Sequence, residues 1–276
     1  MRAAVIQMTS GTDPAANAAA LVSALEEAEA GGAGIAFTPE MTGLLDRDRA
    51  RAAAHIRGEA EDPVLAAARK AAARLGLWVH LGSLALRPEE GDGRLVNRGF
   101  LIDGKGAIRA RYDKLHLFDV DLATGESWRE SAAYAPGVGA VVAETPAGRL
   151  GLSICYDLRF PALYQALSDA GAELLAVPAA FTAPTGRAHW HVLLRARAIE
   201  NACFVIAAAQ SGRHEDGRET YGHSLVVDPW GEVLLDMGEG AGVGFVEIDL
   251  ARAAEARARI PVLAHRRPIP SVERAA

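Results

Sequence analysis

Three polar residues each follow a short apolar, strand-like run. Glu40 follows Phe37-Thr38-Pro39, Lys114 follows Ala110-Arg111-Tyr112-Asp113, and Cys155 follows Gly151-Leu152-Ser153-Ile154. A thiol at the carboxyl end of a buried strand, beside the first turn of a helix-like segment, meets peptide dipoles and free N–H groups. Both favour the thiolate, which is the nucleophile. Taken alone, Cys155 reads equally well as a small core hydrophobe, since free cysteines are among the most buried residues. A carboxylate and an ammonium beside it would suit acyl transfer from an amide. The carboxylate takes the thiol proton, the thiolate attacks the carbonyl, and the ammonium stabilises the developing oxyanion. Lys114 would lower the thiol pKa and Glu40 would raise it, so Glu40 makes most sense as a proton acceptor during attack.

Such groups need rigid strand ends to hold them, because open sheets form their concave sites there. Runs at 3–8, 35–37, 78–84, 94–102, 107–112, 174–179, 204–208 and 243–248 read as strands. Asp103-Gly104-Lys105-Gly106 turns one hairpin, 141–154 forms a second, and 223–227 with 232–235 flank Asp228-Pro229-Trp230-Gly231. Helices are predicted at 14–30, 63–75, 161–170, 188–201 and 250–259, the first opened by Pro14 and closed by Gly31-Gly32. Residues 119–139 read as a long polar loop of the kind that shapes binding sites. This alternation predicts an α/β fold (α+β by some schemes) with two sheets and helices outside. No composition break or repeat divides the chain, so 1–276 reads as one domain, with the Pro- and Arg-rich 261–276 as a surface tail.

Bulk properties remove several classes of function. The 276 residues are 50% hydrophobic and 23% charged, ordinary values for a soluble globular protein. A net charge of −6 gives no reason to expect nucleic acid or an anionic membrane as partner. Two cysteines, Cys155 and Cys203, make no disulfide framework, and Cys203 opens an apolar run that reads as core. No apolar run approaches the roughly 18 residues of a membrane span. The N-terminus enters a strand pattern at once, which leaves no room for a signal peptide and points to the reducing cytoplasm. His116, His189, His191 and His223 have Leu, Trp and Gly neighbours rather than paired ligands, so they read as packing histidines. No metal or other cofactor is expected. Arg195, Arg197 and Glu200 read as structural ion-pair members on one helix.

Three segments together resemble the signatures of the nitrilase superfamily of carbon–nitrogen hydrolases. They are Thr38-Pro39-Glu40, Tyr112-Asp113-Lys114-Leu115-His116-Leu117-Phe118-Asp119-Val120 and Ile154-Cys155-Tyr156-Asp157-Leu158-Arg159-Phe160-Pro161. They stand in the family's order and far apart. The resemblance continues through Gly186-Arg187-Ala188-His189-Trp190, Arg195 to Asn201 and Gly222 to Gly231. Within the superfamily the chain is similar to the Nit branch. Ala208-Ala209-Gln210-Ser211-Gly212-Arg213-His214 is similar to amidases acting on deaminated glutathione more than to the ω-amidases. The resemblance implies a four-layer α-β-β-α sandwich, a homodimer or larger assembly, and a small-molecule amide substrate. It also implies roles: Glu40 as general base, Lys114 as oxyanion cation, and Cys155 as the nucleophile that carries a thioester. Glu130, in Trp128-Arg129-Glu130-Ser131, falls where the family has a second carboxylate, and the Tyr156 N–H would complete the oxyanion site.

Substrate recognition is less constrained. An acidic amide calls for a cation near Cys155, and Arg159 lies one helical turn away, where it could bind a carboxylate or pair with Asp157. Phe181 and Thr185, in the loop after the next strand, match pocket positions of the Nit branch. Glu130 sits in a polar loop, so a merely solvated carboxylate stays open. Three other readings are an ω-amidase for α-ketoglutaramate or α-ketosuccinamate, an acyltransferase, and a non-catalytic binding protein.

Overall fold

In the first strand, β1 (Arg2–Gln7), Ala3 and Val5 enter one buried cluster while Ala4 and Ile6 enter another. A strand covered on both faces belongs inside a layered fold. The computed structural model describes residues 1–121, 125 and 127–274; residues 122–124 and 126 of the expected loop and 275–276 of the expected tail lie outside the described residues. The first half continues with α1 (Pro14–Ala30), β2 (Ile35–Phe37), α2 (Arg49–Ala53), α3 (Pro63–Leu75), β3 (Trp78–Leu86), β4 (Val96–Ile102) and β5 (Ile108–Asp113). A small hairpin, β6 (Asp119–Asp121) and β7 (Ser127–Arg129), leads to β8 (Val141–Thr145), β9 (Gly148–Leu152), α4 (Pro161–Asp169) and β10 (Leu174–Ala176). Next come α5 (Ala183–Asn201), β11 (Phe204–Ala207), β12 (Ser211–Arg213), β13 (Glu219–Tyr221) and β14 (Leu225–Val227). The last elements are β15 (Val233–Asp236), β16 (Gly242–Glu247) and α6 (Leu250–Arg259).

Two six-stranded sheets form, in the orders β16-β1-β2-β3-β4-β5 and β15-β14-β11-β10-β9-β8. Each has a parallel trio, β1-β2-β3 or β9-β10-β11, extended by antiparallel strands. Two successive antiparallel pairings turn β5 parallel to β3, so β5 ends on the same side as β2. Val5, Ile35 and Phe37 of one sheet meet Leu150, Leu152 and Leu174 of the other in the central core. α1 and α3 cover the outer face of the first sheet through Leu21, Leu25, Val64 and Ala68. α4 and α5 cover the second through Leu163, Leu167 and Leu194. The four-layer α-β-β-α sandwich follows. Fully burying one such Leu stabilises the fold by roughly 1.5–3 kcal/mol, which outweighs most local preferences. Helix ends follow local chemistry: Asp13 caps α1, Asp62 caps α3, and Gly76, at φ 65°, closes α3 in the left-handed conformation.

Several stretches differ from the sequence expectation. α5 starts at Ala183 rather than 188, because Pro184 fits a first turn and Gly186 lets the helix press against Tyr221. Thr185 therefore lies on a helix, not in a loop. The expected 119–139 loop contains β6 and β7, pinned by Arg129 and Ser127 on Asp121 at 2.8–2.9 Å, and a 3-10 turn at Glu130–Ala132. The short α2, β12 and β13 were not foreseen. Residues 261–274 form no helix or strand, and Arg266 fastens them to α4 and α5 through Ser168 Oγ at 2.9 Å and Asn201 Oδ1 at 2.8 Å. No helix among the described residues is long and apolar enough to cross a membrane.

Candidate active site

Glu40, Lys114 and Cys155, just beyond the ends of β2, β5 and β9, line one cavity of about 1050 Å³. Glu40 and Lys114 are 4% and 3% exposed. Lys114 Nζ lies 2.9 Å from Glu40 Oε1 and 2.9 and 3.1 Å from the two Glu130 oxygens. The Ala180 N–H donates to Glu40 Oε2 at 2.9 Å, and the Phe118 N–H to Glu130 Oε2 at 2.7 Å. Asn97 Nδ2 donates to both carboxylates, at 2.9 and 3.3 Å. One ammonium, one amide and two backbone donors thus fix two carboxylates that would otherwise repel.

Cys155 has φ 48°, a conformation uncommon for a residue with a Cβ, which costs about 1–3 kcal/mol unless its surroundings impose it. Here they do. The Cys155 N–H donates to Pro178 O at 2.8 Å, and the Ile154 N–H donates to Asp157 Oδ2 at 2.9 Å. Asp157 is fully buried and also accepts from Tyr112 Oη at 2.7 Å and from His116 N and Nδ1 at 3.0 and 2.7 Å. This carboxylate therefore clamps the chain on either side of Lys114 to the turn that carries Cys155. The Tyr156 N–H has no hydrogen-bond partner among the described residues.

Burial alone would raise the Glu40 pKa, but Lys114 and hydrogen bonds from Cys155, Lys114 and Ala180 hold it below the usual carboxylate value. Burial would lower Lys114, yet Glu130 and Glu40 keep its ammonium well above its ordinary pKa. Burial and then Glu40 push the Cys155 thiol well above its own, against the pull of Lys114. The groups at this strand end that favour a thiolate are therefore outweighed, which leaves Glu40 as a proton acceptor and not as a holder of a resting thiolate. Residues 155–159 form a 3-10 turn, α4 begins only at Pro161, and burial with Glu40 outweighs Lys114. A neutral thiol beside an ionised carboxylate and an ammonium can transfer its proton at the moment of attack and leave the positive charge for an oxyanion.

The cavity wall also holds Tyr156, Arg159, Phe181 and Thr185. Arg159 does not pair with Asp157, which is turned inwards. Arg159 Nη1 lies 3.2 Å from His189 Nδ1, and its guanidinium stands 5.1 Å over Phe181 and 5.9 Å over Tyr156. Thr185 Oγ1 meets Thr182 Oγ1 at 2.7 Å. Arg197 pairs with Glu200 at 2.7 Å, Arg195 Nε donates to Gly231 O, and Cys203 is fully buried.

Sequence reasoning missed Asn97, Gln210 and the task of Asp157. Asn97 was detectable as a polar residue inside the apolar Val96–Ile102 strand. Gln210, fully buried, donates from Nε2 to Glu40 O at 3.0 Å and Ser10 Oγ at 2.8 Å, which anchors the Glu40 loop. Among the described residues one group, His191, His223 and Asp236, brings possible metal-ligand atoms within 4.8 Å of one another. Both rings bond Asp236 at 2.9 Å, and none of the three lines the cavity.

Comparison with known proteins identifies the family. The carbon–nitrogen hydrolase family profile matches residues 2–258. The deaminated glutathione amidase of Yersinia enterocolitica is 40% identical over 270 residues, covering 98% of this chain and 94% of that one. The crystal structure of the C. elegans NitFhit protein superposes with a TM-score of 0.89 at 40% identity, over 96% of this chain and 65% of that longer chain. A double mutant of the amidase from Nesterenkonia sp. AN1, solved in complex with acrylamide, gives a TM-score of 0.81 at 28% identity over 97% and 94% of the two chains. With a family match over nearly its whole length and the same fold as these relatives, the chain belongs to the carbon–nitrogen hydrolases of the nitrilase superfamily.

Proposed function

We propose that the protein is an amidase that hydrolyses a small acidic amide through a thioester on Cys155, with deaminated glutathione as substrate. Lys114 gripped by Glu40 and Glu130, in the same cavity as a thiol on a strained turn, is the observation that carries the reading. The Cys155 thiol gives its proton to Glu40 as Sγ attacks the carbonyl carbon. The oxyanion forms against Lys114 Nζ and the free N–H of Tyr156. Collapse breaks the carbon–nitrogen bond, and the departing amine takes the proton from Glu40. Water then attacks the thioester and gives a proton to Glu40, and collapse releases the acid as Glu40 returns that proton to Cys155 Sγ. Glu130 keeps Lys114 charged and aimed. Arg159, which meets no carboxylate among the described residues, offers its fork to the acyl-side carboxylate between Phe181 and Thr185. The names of the relatives support the choice of substrate.

The same reading makes this a cytoplasmic, cofactor-free, single-domain enzyme acting as a homodimer. A reducing compartment suits the thiol. Val192 and Ile199 on α5 and Trp230 before β15 are large exposed apolar groups suited to a second copy. Intact mass after brief exposure to deaminated glutathione tests the chemistry. Glu40→Gln should accumulate an acyl adduct that Cys155→Ala lacks, and an adduct-free Glu40→Gln chain would count against the thioester. Lys114→Met should lose on the order of 10²–10³ in kcat, the usual cost of one oxyanion donor. A preference for α-ketoglutaramate of tenfold or more would reassign the enzyme to the ω-amidases, and products trapped by added amines would reassign it to acyl transfer.

A further inference from the structure

One group of titratable side chains stands apart from the cavity. His191 lies midway along α5, His223 stands two residues before β14, and Asp236 is the last residue of β15. None of the three lines the cavity that holds Cys155. From sequence both histidines read as packing groups, yet their side chains are 33% and 24% exposed, and that of Asp236 is 34% exposed. An ion in solution can therefore reach them. Each ring aims one nitrogen at a different oxygen of the same carboxylate. His191 Nε2 lies 2.9 Å from Asp236 Oδ2, and His223 Nδ1 lies 2.9 Å from Asp236 Oδ1. The possible ligand atoms of the three residues all lie within 4.8 Å of one another.

The surrounding backbone holds this arrangement in place. His223 has φ 51° and follows Gly222 at φ 69°. The left-handed conformation is uncommon for a residue with a Cβ, and three hydrogen bonds impose it here. The His223 N–H donates to Gly238 O at 2.7 Å, Trp190 Nε1 donates to His223 O at 2.8 Å, and the Ser224 N–H donates to Gln7 Oε1 at 2.7 Å. The Gly238 N–H also donates to Asp236 Oδ1 at 2.9 Å, which fixes the carboxylate. Tyr221 stacks on the His223 ring at 4.4 Å and 22°, and stands edge-on to His191 at 6.0 Å and 84°. The two imidazoles meet at 5.3 Å and 71°, so they cross rather than stack.

Two imidazole nitrogens and one carboxylate oxygen are a donor set that suits zinc, whereas magnesium and calcium take oxygen ligands. Ligands about 2.0–2.2 Å from a tetrahedral ion stand roughly 3.3 Å from one another, so small side-chain rotations complete the triangle and water takes the fourth position. We propose that His191, His223 and Asp236 form a zinc-type divalent cation site, which ties α5 to the turn before β14 and to the end of β15. Each nitrogen that faces the ion gives up its proton, to the ring's other nitrogen where the ring is neutral and to solvent where it is charged. The ion takes no part in the chemistry at Cys155. It steadies a helix that carries Thr185 of the cavity wall and His189, whose Nδ1 lies 3.2 Å from Arg159. The site stands whatever amide Cys155 accepts.

Calorimetric titration of chelator-treated, full-length Cys155→Ala with zinc chloride tests it, the substitution removing the cavity thiol as a competing ligand. One zinc ion per chain is expected. His191→Ala and Asp236→Asn in the same background should each weaken binding by about 100-fold or more, the upper end of what losing a mere supporting contact costs. At free zinc about a hundred times Kd, Tm should rise by roughly 5–10 °C, and His191→Ala should abolish the rise. His191→Gln keeps a hydrogen-bond donor for Asp236 but offers no imidazole, so it should melt like its parent without metal and lose zinc as His191→Ala does. Absence of zinc uptake, uptake of equal affinity in His191→Gln, or a magnesium response as large as that to zinc would overturn the site.

Discussion

At the level of single residues, the site depends on where each proton rests. Glu40 is ionised because Lys114 and hydrogen bonds outweigh its burial, and Cys155 is neutral because burial and Glu40 outweigh Lys114. Glu40→Gln removes a charge that raises the thiol and leaves the one that lowers it. Absorbance near 240 nm, taken as the difference from Cys155→Ala, should therefore show thiolate forming at lower pH in Glu40→Gln than in the parent. Cys203, pushed up to about 11 by burial, cancels in that difference. Amide turnover should meanwhile fall by roughly 10²–10⁴, the usual share of a general base. A more readily ionised thiol paired with a less active enzyme would separate proton transfer from thiolate abundance. A thiol midpoint that stays put or rises would mean that Glu40 does not set it.

At the level of elements, Asp157 decides whether Lys114 and Cys155 stay in register. Its two oxygens accept Tyr112 and His116 from the chain flanking Lys114, and Ile154 from the chain entering the Cys155 turn. An asparagine keeps one oxygen and turns an N–H₂ towards donors. With hydrogen bonds to a charged group worth about 1.5–3 kcal/mol each, Asp157→Asn should destabilise the chain by about 3 kcal/mol or more. That lowers Tm by roughly 6–12 °C in a chain of this size. Because Asp157 positions and does not touch substrate, kcat should fall more than KM rises. Parent-like melting and kcat would refute the clamp. The sequence made Lys114 and Cys155 readable, since each is a lone polar residue after an apolar run. It did not reveal Asp157, because a carboxylate next to Arg159 looks like a surface ion-pair partner until the fold turns it inwards. The β6–β7 hairpin and α2 were unreadable for a related reason: Asp-Val-Asp, Ser-Trp-Arg and Arg-Ala-Arg-Ala-Ala carry no apolar period, and long-range contacts impose their form.

At the scale of the whole molecule, two sheets press their apolar faces together, and this layout was legible because strands such as Ala3–Ile6 and Ile35–Phe37 are apolar on both sides. The identity of the facing residues was less so. His80 stands in β3 between Val79 and Leu81. Val79 and Leu81 pack with the outer helices, which turns His80 to the inner face, 5.6 Å from Phe37. Burial there lowers its pKa from 6.5 to about 3. The unfolded chain therefore takes up a proton near pH 6.5, and the folded chain refuses it until far lower. The stability this residue allows is complete above about pH 6.5 and drains away as the pH falls towards 3, at about 1.4 kcal/mol per pH unit. Glu40 acts in the same direction, but only below its ordinary value of 4.5, so the interval from pH 7 to pH 5 largely isolates histidine. His214, also lowered by burial, contributes equally to parent and variant and cancels. Urea unfolding at pH 7 and pH 5 should show the parent losing about 2 kcal/mol more than His80→Leu over that interval. Equal losses in the two chains would mean that the space between the sheets admits enough water to solvate a charged imidazole, contrary to a dry α-β-β-α core.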